Sequence, residues 1–330
     1  MEIQSMELEP TKENILSTLT ENLLGRNNDV WRFIRICQYQ KRKCSIALDA
    51  KWGAGKTFFV KQAKMLIDAY NPFSKELLDD EKKIIQSIFN QIGLVIRDDF
   101  LSSPQVSVYY DAWTNDNDND PMLSILYEIV KTTTLEYDVH KQGNIAEKVV
   151  SIVDVITGKN IKEAFEVFRG DDCFSSIQNQ KNIHSMIEEF FDSLLSEQGD
   201  RLVVFIDELD RCKPSFAIQL LERIKHYFSN DRITFVFSIN DAQLQQTIKR
   251  YYGADFDSCR YLDRFFDYRI SLPPANMQRY YEKIGLNSYD VFEKICQAVT
   301  RRQNMGLREI EKYARRSRMA LEKHRDHRSY

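Results

Sequence analysis

The sequence has no C-x-x-C pair, no long apolar run and no large excess of one charge. Its six cysteines, Cys37, Cys44, Cys173, Cys212, Cys259 and Cys296, are irregularly spaced. That spacing excludes a zinc ribbon and a disulfide framework, and predicts reduced, buried thiols in a cytoplasmic protein. The longest uncharged apolar-rich stretch, Ile84 to Ile96, contains Gln86, Asn90 and Gln91. A bilayer span needs about 20 apolar residues, so no membrane span is expected. The opening residues, Met1-Glu2-Ile3-Gln4-Ser5-Met6-Glu7, are polar and acidic, unlike a signal peptide. A net charge of -3 and a pI near 6.0 give no global pull toward nucleic acid or membrane. Internal repeats and low-complexity tracts are also missing.

What is present is an ordinary globular composition, 43% hydrophobic and 29% charged over 330 residues, enough for a sizeable core. At roughly 150 residues per domain, this length suggests two domains or one with an appendage. Residues 11–40 read as helical, with Thr11 or Asn14 as a cap and Trp31, Phe33, Ile34 and Cys37 as an apolar face. Lys43–Asp49 reads as a buried strand, followed by a glycine-containing loop and a helix over Thr57–Tyr70. Helices are expected over 79–98, 122–131, 214–228 and 241–252. Strands are expected at 106–110, 201–206, 233–239 and 267–272, and helix again from Met277 to the end. Strands alternating with helices predict a parallel α/β sheet. The stretch 138–200 reads as a mainly helical insertion broken at Gly143, Gly158 and Gly170.

Ala50-Lys51-Trp52-Gly53-Ala54-Gly55-Lys56-Thr57 sits between the first strand and its helix. It follows the G-x-x-x-x-G-K-[ST] pattern, in which backbone N–H groups cradle phosphates, the lysine reaches the β/γ-phosphates and the hydroxyl ligates Mg²⁺. A helix N-terminus adds its dipole. Ala50 replaces the first glycine, a departure because alanine tolerates left-handed backbone less well. Residues Trp52, Gly53, Ala54, Gly55, Lys56, Thr57 and Phe58 are therefore the expected nucleotide contacts.

Roughly 150 residues on, Leu202-Val203-Val204-Phe205-Ile206-Asp207-Glu208 is an apolar strand ending in two carboxylates. Ligands of parallel sheets bind at the carboxyl ends of strands. Asp207, with Thr57, is the expected magnesium residue, and Glu208 the residue that positions the attacking water.

Further motifs resemble the KAP family of P-loop NTPases. Asp207-Glu208-Leu209-Asp210-Arg211-Cys212-Lys213-Pro214 is similar to the family's extended Walker B signature, with Glu208 where the family often has a second aspartate. Trp52-Gly53-Ala54-Gly55-Lys56 resembles its Trp-Gly-x-Gly-Lys loop. Tyr110-Asp111-Ala112-Trp113 and Tyr261-Leu262-Asp263-Arg264-Phe265-Phe266 resemble two further segments, so the similarity spans roughly 20–320. The resemblance implies an α/β P-loop NTPase fold, with a parallel sheet flanked by helices, a helical insertion between Walker A and Walker B, and a C-terminal helical lid. It also implies that the Walker B strand lies beside the phosphate-loop strand, and that the nucleotide is ATP. Membrane helices carried by many members are missing here, and the link of some bacterial relatives to phage exclusion is a property of the family.

On this reading, 1–40 is an N-terminal helical extension, 41–275 the NTPase core and 276–330 the helical lid. Asn240, after Ser238-Ile239, is expected either to touch the γ-phosphate or its water, or to cap the next helix. Arg308 sits where similar proteins place a lid arginine, with Arg211, Arg264 and Arg269 as rivals. Residues 301–330 hold ten Lys/Arg against four Asp/Glu. That basic segment fits the solvated side of a lid helix or a nucleic-acid patch. Two spacings are dismissed: His324/His327 has no companion ligands, and Asp116-Asn117-Asp118-Asn119-Asp120 lacks the glycine of a calcium loop. The expected activity is ATP hydrolysis with Mg²⁺. The competing readings are a slow nucleotide switch acting on an oligomer or a separate effector chain, and a DNA-processing ATPase.

Overall fold

The computed structural model describes residues 9–96, 103–134, 173–287 and 289–326. Five strands form one parallel sheet: β1 (Cys44–Asp49), β2 (Gln105–Asp111), β3 (Arg201–Asp207), β4 (Ile233–Ile239) and β5 (Tyr268–Ser271), in the order β2-β3-β4-β1-β5. β3 and β4 are buried along their whole length, as expected of central strands covered on both faces. The Walker B strand is not beside the phosphate-loop strand, contrary to what the resemblance implied. After β1 the chain crosses to the far edge at β2, and β3 and β4 then step back to fill the gap. Ser238 of β4 thus pairs with Leu48 on one side and Asp207 on the other.

Side-chain alternation sorts the sheet into two faces. Ile46, Leu48, Val203, Phe205 and Val236 join a core with α1 (Lys12–Thr20), α2 (Asn27–Gln38), α3 (Lys56–Tyr70) and α4 (Asp79–Ile96). Ala47, Leu202, Val204, Ile206, Phe235 and Phe237 face the other core. That core is built with α5 (Pro121–Thr134), α6 (Cys173–Gln198), α7 (Pro214–Tyr227), α8 (Asp241–Tyr252) and α9 (Ser258–Leu262). Fully burying each such side chain stabilises the fold by roughly 1.5–3 kcal/mol. The helix after β1 therefore lies on one face and those after β3 and β4 on the other, which opens a crevice at the carboxyl end of β1.

The N-terminal helical segment is divided into two helices, α1 and α2. Thr11 caps α1 by accepting from Asn14 N at 3.3 Å. The break at 21–26 contains Asn22 at φ 47° and Gly25 at φ 67°, angles that do not continue a right-handed helix. The helical run expected from Met277 is three helices: α10 (Met277–Lys283), α11 (Val291–Arg302) and α12 (Leu307–Asp326). Gly285 and Asn304, at φ 75° and 49°, stand at the breaks. Leu23 and Leu24 pack with Tyr280, Tyr281, Ile284, Ile310 and Ala314, so the first helical turn-back and the C-terminal helices share a third core. Cys37, Cys44, Cys212 and Cys296 are buried thiols as expected, but Cys259 is exposed because α9 turns it outward. Of the expected insertion, α6 is described; Gly143, Gly158 and Gly170 lie outside the described residues, as does His327. No helix of the described residues is long and apolar enough to cross a membrane.

Candidate nucleotide site

The loop after β1 is shaped by two glycines. Gly53 and Gly55 have φ of 76° and 90°, where a Cβ is strained, and Gly55 forms the N-cap of α3. Ala50 is not among the residues with positive φ, so this first position does not need glycine here. Its N–H extends the β1–β4 ladder by donating to Ile239 O at 3.2 Å. Lys56 Nζ donates to Ala50 O at 2.6 Å and to Lys51 O at 3.3 Å, folded over the loop. Burial lowers the Lys56 pKa, opposed by the carboxylates of Asp210, Asp207 and Asp49.

At the end of β3, Asp207 is 1% exposed. Its Oδ2 accepts from Tyr109 OH at 3.1 Å and its Oδ1 from Glu208 N at 3.0 Å. These bonds fix the carboxylate. Glu208 sits at φ 61°, left-handed backbone that costs a residue with a side chain about 1–3 kcal/mol and concentrates at functional sites. The turn lets the 3₁₀ segment Leu209–Arg211 fold back, so that Arg211 Nη1 reaches Glu208 Oε1 at 3.0 Å. Burial raises the Glu208 pKa, Arg211 opposes it, and Asp207, Asp111 and Asp210 add to it.

These groups line one cavity of about 460 Å³. Trp52, Gly53, Gly55, Lys56, Thr57 and Phe58, but not the expected Ala54, line it from the loop and α3, Asp207 from the end of β3 and Glu208 from the turn after it. Arg308 enters from α12, whose start is docked on the loop: Leu307 N donates to Gly53 O at 2.9 Å. Arg211 also lines the cavity, whereas Arg264 and Arg269 do not. Arg269 instead pairs with Asp263 at 2.6 Å. Asn240 is not a lining residue either. Its side chain accepts from Gln243 N at 3.4 Å and caps α8. Ser238 Oγ is buried without a hydrogen-bond partner among the described residues.

Several lining groups, or the contacts they make, had no signal in the sequence. Trp52 Nε1 donates to Asp210 Oδ2 at 2.6 Å, joining the phosphate loop to the turn after Glu208. Tyr109, Asp111 and Lys61 form one wall, with the Lys61 ammonium 4.6 Å over the Tyr109 ring. Leu23, Leu24, Tyr280 and Leu307 make an apolar end. Of these, Trp52, Asp111 and Asp210 fell within motifs read from sequence, and Trp52 was an expected nucleotide contact. The apolar end is assembled from both ends of the chain, and no local pattern announces it.

A parallel sheet whose first strand runs through a glycine loop into a helix, facing an acidic strand end one strand away, defines a P-loop NTPase fold. The model of the KAP family P-loop domain matches residues 31–320, and the chain belongs to that family. Among solved structures, the chain is similar to the Aeropyrum pernix ORC2 protein in ADPNP–ADP complexes, at 12% identity and a TM-score of 0.41, covering 98% of this chain. It spans 65% of the length of that chain. No curated protein matches the sequence.

Proposed function

We propose that this chain binds ATP with Mg²⁺ in the cavity and transfers the γ-phosphoryl group to water. The observation that carries the reading is the convergence of Lys56, Thr57, Asp207 and Glu208, from two segments about 150 residues apart, on one cavity. The apolar end at Leu23, Leu24, Tyr280 and Leu307 suits a nucleobase, and the loop suits its phosphates. Thr57 and Asp207 would hold Mg²⁺, a hard cation that takes one or two carboxylates beside phosphate oxygens and waters. They fit it, since Asp207 is fixed by two donors and keeps lone pairs for a hydration shell. Bound there, the ion supplies charge neutralisation on the phosphates. Lys56 neutralises phosphate charge, and Glu208 orients the water and takes its proton. Arg308 and Lys312, part of the basic C-terminal segment, line the same cavity, so some of that charge serves phosphates.

The second reading, a slow nucleotide switch that acts on an oligomer or a separate effector, rests on the Arg211–Glu208 ion pair. It engages the water-positioning carboxylate while α12 sits on the loop. Phosphate release with ATP and Mg²⁺ separates the two, with Lys56→Ala and Glu208→Gln also tested for ATP binding. Steady turnover lost in both variants, with binding kept in Glu208→Gln, supports hydrolysis. Binding without turnover in the unaltered chain supports the switch, and no binding sinks both.

A further inference from the structure

Arg26 stands between α1 and α2, behind the phosphate loop, and lies outside every motif. It is 4% exposed. Its Nη1 donates to Ala54 O at 3.2 Å, and a Cβ placed on Gly55 would lie 3.2 Å from the same nitrogen. The Nε is buried and has no hydrogen-bond partner among the described residues. Burial depresses the guanidinium pKa to about 10, with Asp29 opposing. A buried cation with so few partners is costly, and structures keep such groups where a counter-charge arrives. Arg26 does not line the nucleotide cavity, but Gly55 does, as does Leu24, whose Cδ1 would lie 3.8 Å from the same Gly55 Cβ.

The contact with Ala54 also sets a direction. A trans peptide holds its C=O and N–H on opposite sides. Because Arg26 takes the Ala54 carbonyl, the Gly55 N–H of the same peptide is turned away from the guanidinium. We propose that Arg26 is a phosphate-positioning residue: it clamps the Ala54–Gly55 peptide with its N–H toward the nucleotide, and places a desolvated positive charge behind the loop. The residue acts through the loop and touches no reacting atom. Polyphosphate is the anion that completes it, so the unliganded protein tolerates a poorly paired charge for the sake of the bound state. The inference rests on the nucleotide reading of the cavity.

A positioning role and a merely structural one differ in sign for the unliganded protein. Replacing a poorly paired buried charge by an apolar side chain of similar length leaves stability unchanged or raises it. The test uses the full chain with Arg26→Met, Arg26→Lys and Lys56→Ala, measuring the melting temperature without nucleotide and the Kd for ATP with Mg²⁺. Arg26→Met is expected to melt at or above the unaltered chain and to bind ATP about 10- to 100-fold more weakly, the range of a charge-assisted contact. Arg26→Lys is expected to recover part of the affinity. An unchanged Kd in Arg26→Met overturns the proposal, and so does a fall in unliganded melting temperature that tracks the loss of affinity. If Arg26→Met does not fold, Arg26→Gln is read by the same two quantities. ATP affinity unaffected by Lys56→Ala sinks the nucleotide reading itself, whereas affinity lost there but kept in Arg26→Met sinks only the role of Arg26.

Discussion

Trp52 Nε1 donates to Asp210 Oδ2 across 2.6 Å and thereby ties the phosphate loop to the turn that carries Glu208. The indole is half exposed, but Asp210 is only 6% exposed, so the carboxylate depends on this donor. Hydrogen bonds to charged groups contribute about 1.5–3 kcal/mol.

Trp52→Phe, Asp210→Asn and the double variant test that link in denaturant unfolding. Trp52→Phe is expected to destabilise the chain by about 1–3 kcal/mol, because it leaves a nearly buried carboxylate short of a partner. The double variant should cost clearly less than the sum of the singles. Additive losses would show that the two side chains are not energetically coupled.

A separate expectation concerns Asn240, which caps α8 and does not line the cavity. Asn240→Ala should lower stability by about 1 kcal/mol. Turnover per folded molecule should stay near that of the unaltered chain, and Asn240→Asp should restore the cap. A drop in kcat of tenfold or more, with stability kept, would return Asn240 to the phosphate and take it out of a purely capping role.

The strands and the phosphate loop were legible because their signals are local. Apolar runs such as Leu202–Ile206 declare a buried strand, and Gly55-Lys56-Thr57 between strand and helix declares the loop. Strand order was not legible in the same way. The position of β4 between β1 and β3 depends on where the crossovers land, and nothing local in Ile233–Ile239 says which neighbours it takes. The breaks at Asn22 and Asn304 were hidden because non-glycine residues there adopt positive φ, which composition does not mark. Asn240 illustrates the limit within the site. Its sequence position suits a phosphate contact and a cap equally, and the cap hydrogen bond to Gln243 N is seen only in three dimensions.

Gly306 gives a handle on the contact between α12 and the loop. A Cβ there would meet the carbonyl carbon and oxygen of Gly53 and the oxygen of Trp52, each at 3.3 Å, and these are backbone atoms with little room to yield. Gly306→Val should push the start of α12 off the loop, weakening the Leu307 N to Gly53 O bond. Overpacking of this kind costs about 1–3 kcal/mol; falling on the nucleotide-bound form, that is a loss of about 5- to 150-fold in ATP affinity at 1.4 kcal/mol per decade. An ATP titration by calorimetry checks it. An unchanged Kd would mean that docking of α12 on the loop and nucleotide binding are independent.

Glu208 is the group whose titration should set the acid side of the rate profile. Burial holds its carboxyl above the ordinary range, with Arg211 pulling it back and Asp207, Asp111 and Asp210 pushing it further up. The proposed role needs the deprotonated form, so turnover should fall as pH drops through that raised value, at higher pH than an ordinary glutamate would give. Removing the guanidinium takes away the positive counterweight 3.0 Å from the carboxylate. Arg211→Met should therefore move the acid limb to still higher pH, while Arg211→Lys leaves it nearer the original. Glu208→Gln should abolish the limb and lower kcat by about 10²–10⁴. The measurement is kcat against pH for the four proteins at saturating ATP and Mg²⁺. A limb that stays in place in Arg211→Met would separate Arg211 from the titration of the base. A limb that persists in Glu208→Gln would assign it to another acid, and Glu208 would lose its part in activating water.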